Sequence, residues 1–244
     1  MSTATTQSTT VVPTSIEVPG PVTRVPTLEE LERLTALPER RVVYRGVDWS
    51  FYEQLVDSIP ESTNIHVDYD GKDLEVMGKG RKHELVRVLL RRLVETISEE
   101  LGIPCNSVGE TTWKRMEIAC GLEADLCYYF LPEKLAADAA AISRGSDDIA
   151  DYPNPDLAIE VDISPPQVDR AGIYATLGVT EVWRFVDNTL VIERLMPQGN
   201  YASVETSGFV PITPDYVGRW VCDEDSSDES AWARRLRAEL RKNS

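Results

Sequence analysis

Two acidic pairs carry most of the chemistry this chain could perform. Glu123 and Asp125 stand two residues apart in Glu123-Ala124-Asp125-Leu126-Cys127-Tyr128-Tyr129-Phe130, and Glu160 and Asp162 do so in Pro155-Asp156-Leu157-Ala158-Ile159-Glu160-Val161-Asp162-Ile163-Ser164. Side chains alternate faces along a strand, so each pair shares one face, Asp156 joins the second pair, and Leu157, Ile159, Val161 and Ile163 line the reverse. Three carboxylates on one face of a strand that looks buried repel one another and lose hydration unless a cation or water receives them. The second strand is therefore either an edge with one wet face or half of a metal site. Neighbouring strands run about 4.8 Å apart, close enough for Asp125 and Glu160 to share a hard divalent cation if they pair in register. Magnesium suits oxygen ligands, keeps several waters and can activate one while neutralising charge on a phosphodiester, and manganese can stand in for it. On spacing alone a solvated sheet face explains the pairs about as well. Two carboxylates working as acid and base on a sugar fit the same spacing, but the chain lacks an accompanying pattern of stacking aromatics.

The elements that would position these residues are legible as periodicities. Lys82 to Leu101 reads as a long helix, with Val86, Leu89, Leu90, Leu93 and Ile97 on one stripe and Gly102 as its stop. His83 falls at the margin of that stripe, whereas Glu84 and Glu95 fall on the solvated side. Before it, Ile65–Tyr69 and Leu74–Met77 alternate around Asp70-Gly71-Lys72-Asp73, a hairpin pattern. Thr27 caps a short helix, and a second is expected over Trp49–Ser58. A strand is expected over Thr111–Ile118, a helix over Glu133–Ile142, and a helix over Val168–Leu177 after Pro165-Pro166 ends the acidic strand. Three antiparallel strands follow, at Glu181–Val186, Leu190–Leu195 and Tyr201–Glu205. Trp113 and Trp183 read as core. Trp232 to Lys242 is a helix carrying Arg234, Arg235, Arg237, Arg241 and Lys242, expected as a solvated face that pairs with the acidic surface.

Three segments in this order resemble one known family. Glu123-Ala124-Asp125-Leu126-Cys127-Tyr128-Tyr129, the stretch Pro155 to Ser164, and Asp169-Arg170 with Ile173-Tyr174-Ala175-Thr176-Leu177-Gly178-Val179-Thr180-Glu181-Val182-Trp183-Arg184 are similar to the Uma-type putative restriction endonuclease family, a branch of the PD-(D/E)XK nucleases. The resemblance runs from about Tyr44 to Trp220. It implies an α/β restriction-endonuclease-like core, a mixed central sheet flanked by helices, here with an antiparallel C-terminal extension. It also implies a metal-dependent nuclease acting on DNA, with Asp125 and Glu160 as catalytic metal ligands. Asp162, an added acidic ligand, stands where the superfamily places a lysine. Arg170, four residues before Tyr174, takes the position of the basic residue that replaces it in this family. Arginine stays charged at every relevant pH, so it stabilises negative charge but is a poor general base. The superfamily's helical glutamate corresponds to Glu84, with His83 as its rival. The missing lysine leaves a second expectation open, a catalytically inactive module that keeps the nuclease fold.

Composition bounds these readings. With 244 residues, 25 Lys and Arg against 41 Asp and Glu, and a net charge of −16, the chain repels nucleic acid and anionic membranes until a local cation intervenes. Residues 1–26, rich in Thr, Ser and Pro, are expected to be a disordered tail, 27–222 the nuclease-like domain, and 223–244 an acidic linker with the basic helix. No apolar run reaches the roughly 18 residues of a membrane helix, and a cytoplasmic protein is expected, with a homodimer through a sheet edge compatible with the antiparallel strands. Cys105, Cys120, Cys127 and Cys222 lack zinc-site spacing and are expected as buried free thiols.

Overall fold

The hairpin signal at Asp70-Gly71 is where the observed sheet begins to organise. The computed structural model describes residues 15–19, 22, 24–60 and 63–243, without the side chains of 110, 117, 223 and 243. Its elements in order are β1 (Ser15–Glu17), α1 (Leu28–Leu34), β2 (Arg41–Tyr44), α2 (Trp49–Ser58), β3 (Ile65–Tyr69), β4 (Leu74–Gly78) and α3 (Arg81–Leu101). There follow β5 (Asn106–Arg115), β6 (Cys120–Tyr129), α4 (Pro132–Ser143), β7 (Leu157–Asp162) and α5 (Arg170–Leu177). The chain ends with β8 (Glu181–Val186), β9 (Thr189–Leu195), β10 (Tyr201–Val204), α6 (Pro214–Gly218) and α7 (Glu229–Asn243). The strands form one mixed sheet in the order β1-β2-β4-β3-β6-β7-β8-β9-β10, with β5 paired to β6 off that path.

The pairing around β6 decides where a site can lie. β5 pairs with β6 from Asn106↔Tyr129 to Arg115↔Cys120, so β3 and β7 must both use the other edge of β6. β3 meets it at Tyr69↔Gly121 and β7 at Tyr128↔Leu157 through Leu126↔Ile159. Between Gly121 and Leu126 that edge makes no ladder pair with any strand among the described residues, and the sheet opens into a seam. Gly121 is needed where β3 arrives, because a Cβ there would overlap the Tyr52 hydroxyl.

Both faces of β7 are buried. Leu157, Ile159 and Val161 join α3 and α7 in one core, with Trp183, Trp220 and Trp232. Ala158 joins Cys127, Tyr129, Ile173 and Tyr174 in a second core beneath α5. A third packs the β3–β4 hairpin against α1 and α2. The wet-edge alternative for β7 is thereby excluded, since all six of its residues are buried. At its entrance Asp156, with no solvent exposure, accepts from the amides of Phe130 (2.7 Å) and Leu131 (2.8 Å) and pairs with Lys134 (2.8 Å).

The helices follow their sequence signals. Thr27 and Glu30 form a capping box on α1, Asp48 caps α2, and Gly102 ends α3 in the left-handed region that lacks a Cβ penalty. Several findings differ from expectation. Ser15–Glu17, inside the expected tail, pairs parallel with β2, while residues 1–14 lie outside those described. β2 and α6 carry no periodicity long enough to read. β5 begins at Asn106, earlier than the expected Thr111, and ends at Arg115. The apolar side of α7 is integral to the first core, with Trp232 and Leu236 fully buried, while Arg237 and Arg241 pair with Glu99 and Glu100 on α3. None of the four cysteines is in a disulfide, and Cys120 and Cys127 are buried and Cys105 half-buried. Cys222 is exposed, which corrects the expectation there. Among the described residues no helix is long and apolar enough to cross a membrane.

Candidate active site in the sheet seam

Asp125 stands at the lip of the seam, one residue beyond the last β6–β7 pair, and the antiparallel register carries it opposite Glu160. Because neither β3 nor β7 pairs its backbone with this stretch of β6, the Asp125 carboxylate takes over backbone hydrogen bonding. Oδ2 accepts from the Val161 amide (2.8 Å) and from His83 Nε2 (3.0 Å). Asp68 of β3 does the same for the Glu123 amide (3.4 Å). Asp125 Oδ1 has no hydrogen-bond partner and lies 3.4 Å from Lys79 Nζ, which is also 3.3 Å from Glu123 Oε1.

Across the seam, Arg170 and Tyr174 project from α5 at i, i+4 spacing, which puts them on one helix face. The Tyr174 hydroxyl donates to Glu160 Oε1, and Arg170 Nη1 donates to Glu160 Oε2 and Asp162 Oδ1, each at 3.1 Å. The guanidinium also holds Asp68 at 2.6 Å and approaches Glu75 at 3.7 Å. Asp68 and Glu75 face each other across the β3–β4 hairpin, an arrangement that repels without a cation. Arg41 of β2 supplies a second one. It pairs with Glu75, with Asp162 at 3.1 Å and with the Ser164 carbonyl at 2.6 Å. His66 completes the group, its Nε2 3.0 Å from Asp68 Oδ1.

Five carboxylates, those of Asp68, Glu75, Asp125, Glu160 and Asp162, are thus buried together with two guanidiniums, one ammonium and two imidazoles, and the crowding appears in their protonation. Burial and the neighbouring Asp125 and Asp162 push Glu160 up to about 8 against the pull of Arg170. Burial alone would raise Asp125 too, but His83 and Lys79 hold it far below the ordinary carboxylate range. Arg170 and His66 likewise hold Asp68 down against its burial. For His83 and His66 burial favours the neutral ring, yet Asp125 and Asp68 respectively raise both above the ordinary histidine value.

Of the residues expected at a site, Glu160, Asp162 and Arg170 are in direct contact, and Asp125 faces them across the seam. His83 is the α3 residue that reaches Asp125; Glu84 is half-exposed and pairs with Arg87 at 2.8 Å. Asp162 sits between two guanidiniums. Sequence reasoning passed over Arg41, His66, Asp68, Glu75, Lys79 and Tyr174. A signal existed for two of them, because the alternation of Ile65–Tyr69 puts His66 and Asp68 on one face of a strand.

Two cavities reach this network. A small one of about 160 Å³ opens on Glu160, Asp162, Arg170, Tyr174, Arg184 and Tyr201. A broad groove of about 1280 Å³, bounded in part by Ile65, Val67, Asn106 and Tyr152, includes Glu123.

A mixed sheet flanked by helices, with charged side chains gathered where two strands part on one edge of a third, defines an α/β protein with a polar seam at its centre. Residues 49–222 match the model of the Uma2 family, described as putative restriction endonucleases, and the chain belongs to that family. Among solved structures, a putative nuclease belonging to DUF820 from Anabaena variabilis is similar over 72% of this chain and 99% of that one, at 14% identity and a TM-score of 0.45. No curated protein matches.

The donor set fits a hard divalent cation in part. Asp125 offers a buried oxygen that makes no hydrogen bond, on a strand position opposite a second carboxylate. Among the described residues no three His, Cys, Asp or Glu side chains are placed to hold a metal. Magnesium is commonly held by one or two carboxylates with water completing its shell.

Proposed function

We propose that this protein hydrolyses phosphodiester bonds in DNA with a divalent cation, magnesium or manganese, held by Asp125 and Glu160. The observation that supports this reading is the β6–β7 register, which, continued one step beyond Leu126↔Ile159, brings Asp125 opposite Glu160 in a chain of a putative endonuclease family. Bound there, the cation would acidify a water and offset phosphate charge. The protein's own groups have separable tasks. His83 and the Val161 amide orient Asp125, Tyr174 orients Glu160, and Arg170 places a permanent positive charge beside Glu160, where it stabilises an anionic phosphate without acting as a base. The test is cleavage of supercoiled plasmid with magnesium or manganese. The expected result is nicking or linearisation that Glu160→Ala abolishes, and absence of cleavage of every DNA form by folded protein refutes the proposal.

One observation favours a second reading, an inactive nuclease-fold interaction module. Glu160 and Asp162 already bond Arg170, and both are about 2% exposed or less. Titration calorimetry separates the two. Magnesium binding that is absent, or unchanged in Asp125→Ala, supports the inactive module.

A further inference from the structure

A single segment grips both oxygens of Asp125. His83, in the first turn of α3, holds Oδ2, and Lys79, four residues earlier, lies on Oδ1. Lys79 is fixed by its backbone, since its amide donates to the Asn64 carbonyl (3.0 Å), and its side chain is 5% exposed. Oδ1 is the oxygen without a hydrogen bond, so it is the one through which Asp125 can bind a cation. The ammonium therefore stands against the coordinating oxygen. It also holds a second carboxylate, because Nζ donates to Glu123 Oε1 at 3.3 Å and Glu123 lines the broad groove.

We propose that Lys79 is a positioning residue that covers the metal-binding oxygen of Asp125 and cedes it to the cation while keeping its hydrogen bond to Glu123. The proposal rests on the reading that a divalent cation binds Asp125. With no cation present, the ammonium offsets the Asp125 carboxylate and holds Oδ1 in place. With the cation present, two positive ions cannot share one oxygen closely, because unit charges at contact distance repel appreciably even in water. The Lys79 side chain then stays paired with Glu123 at the edge of the groove, bringing a positive charge to a surface that is otherwise acidic. No proton or electron changes hands. The step is an exchange of cations on one carboxylate oxygen.

The experiment is manganese binding by titration calorimetry on the full chain, comparing wild type with Lys79→Met, Lys79→Gln and Lys79→Arg, with folding verified by thermal melts. Removing the charge in either neutral variant should tighten manganese binding roughly tenfold, the scale expected for one unit charge lost at contact distance. Lys79→Arg should bind like wild type, and Asp125→Asn should bind no manganese in any background. The inference is overturned if a folded neutral variant stays within about twofold of wild type, a difference too small for a displaced charge. It is overturned equally if Lys79→Arg tightens binding as the neutral variants do, if Asp125→Asn retains manganese, or if manganese binds neither wild type nor the neutral variants. If binding behaves as expected while no DNA is cut, the exchange stands and the nuclease reading fails.

Discussion

Replacing Glu160 by glutamine should remove a pH-dependent weakness from the fold. Burial together with Asp125 and Asp162 moves the Glu160 carboxyl from the ordinary 4.5 up to about 8, so the folded chain holds this proton across a range in which the unfolded chain has released it. A carboxyl raised in this way stabilises the fold fully below 4.5, and the contribution is lost as pH rises through about 8. At ~1.4 kcal/mol per pH unit, the loss across that interval is on the order of 5 kcal/mol, comparable with the whole stability of many domains, about 5–15 kcal/mol. The glutamine side chain keeps the shape and hydrogen-bonding reach of the glutamate and does not titrate. The assay is the urea midpoint from pH 5 to 9 for both proteins without divalent ions. Near pH 5 the two should nearly coincide, and by pH 9 Glu160→Gln should be more stable by several kcal/mol. The raised histidines His66 and His83 also lose their contribution as pH rises, but they do so in both proteins and cancel in the difference. Manganese at pH 8 should stabilise wild type more than the variant, since only wild type offers a second carboxylate. Parallel pH curves for the two proteins would refute the assignment of a protonated, buried Glu160.

Arg170→Met should strip Asp68, Glu160 and Asp162 of their shared cation and cost about 3–5 kcal/mol, the usual consequence of breaking a buried ion pair from one side; chemical denaturation measures it, and Arg170→Lys should recover only part, because an ammonium cannot span three carboxylates. Gly121→Ala should cost about 1–3 kcal/mol by overpacking, since its Cβ would meet the buried Tyr52 hydroxyl, which sits on a ring stacked against Tyr69. Combining it with Tyr52→Leu should return much of the lost stability in thermal melts.

What the sequence revealed, and what it withheld, follows from the range of the forces involved. Helix caps, the Asp70-Gly71 turn, the stripe on α3 and the alternation in β7 are local signals, and they placed α1, α2, the hairpin and β7 within a residue or two. Asp125, Glu160, Asp162 and Arg170 stood out because motif and spacing mark them within short segments. The rest of the seam depends on which strands meet. Arg41 is 121 residues from Asp162 and Asp68 is 102 from Arg170, and no local pattern encodes that approach. His83 shows the limit well. A helical wheel puts it at the margin of the apolar stripe, yet it is fully buried, because Asp125 meets its Nε2 from another element. β1 and β2 are too short to show periodicity; β2 exists as a strand because the hairpin offers it an edge, and β1 because β2 does.

Asp156 shares its strand face with Glu160 but does different work, and that work bears on how β6 and β7 find each other. A slip of one residue would turn every side chain of β7 to the wrong side, and the apolar pattern forbids it. A slip of two would not, because Leu157, Ile159 and Val161 would simply exchange berths, leaving Asp125 opposite Ala158 or Asp162. The amides of Phe130 and Leu131 and the Lys134 ammonium all converge on Asp156, and a shifted strand would present Asn154 or Ala158 to them instead. The aspartate thus works as a detent, admitting one of several hydrophobically equivalent alignments. The meeting of Asp125 with Glu160 is settled four residues away, at the end of the strand pair where no chemistry takes place.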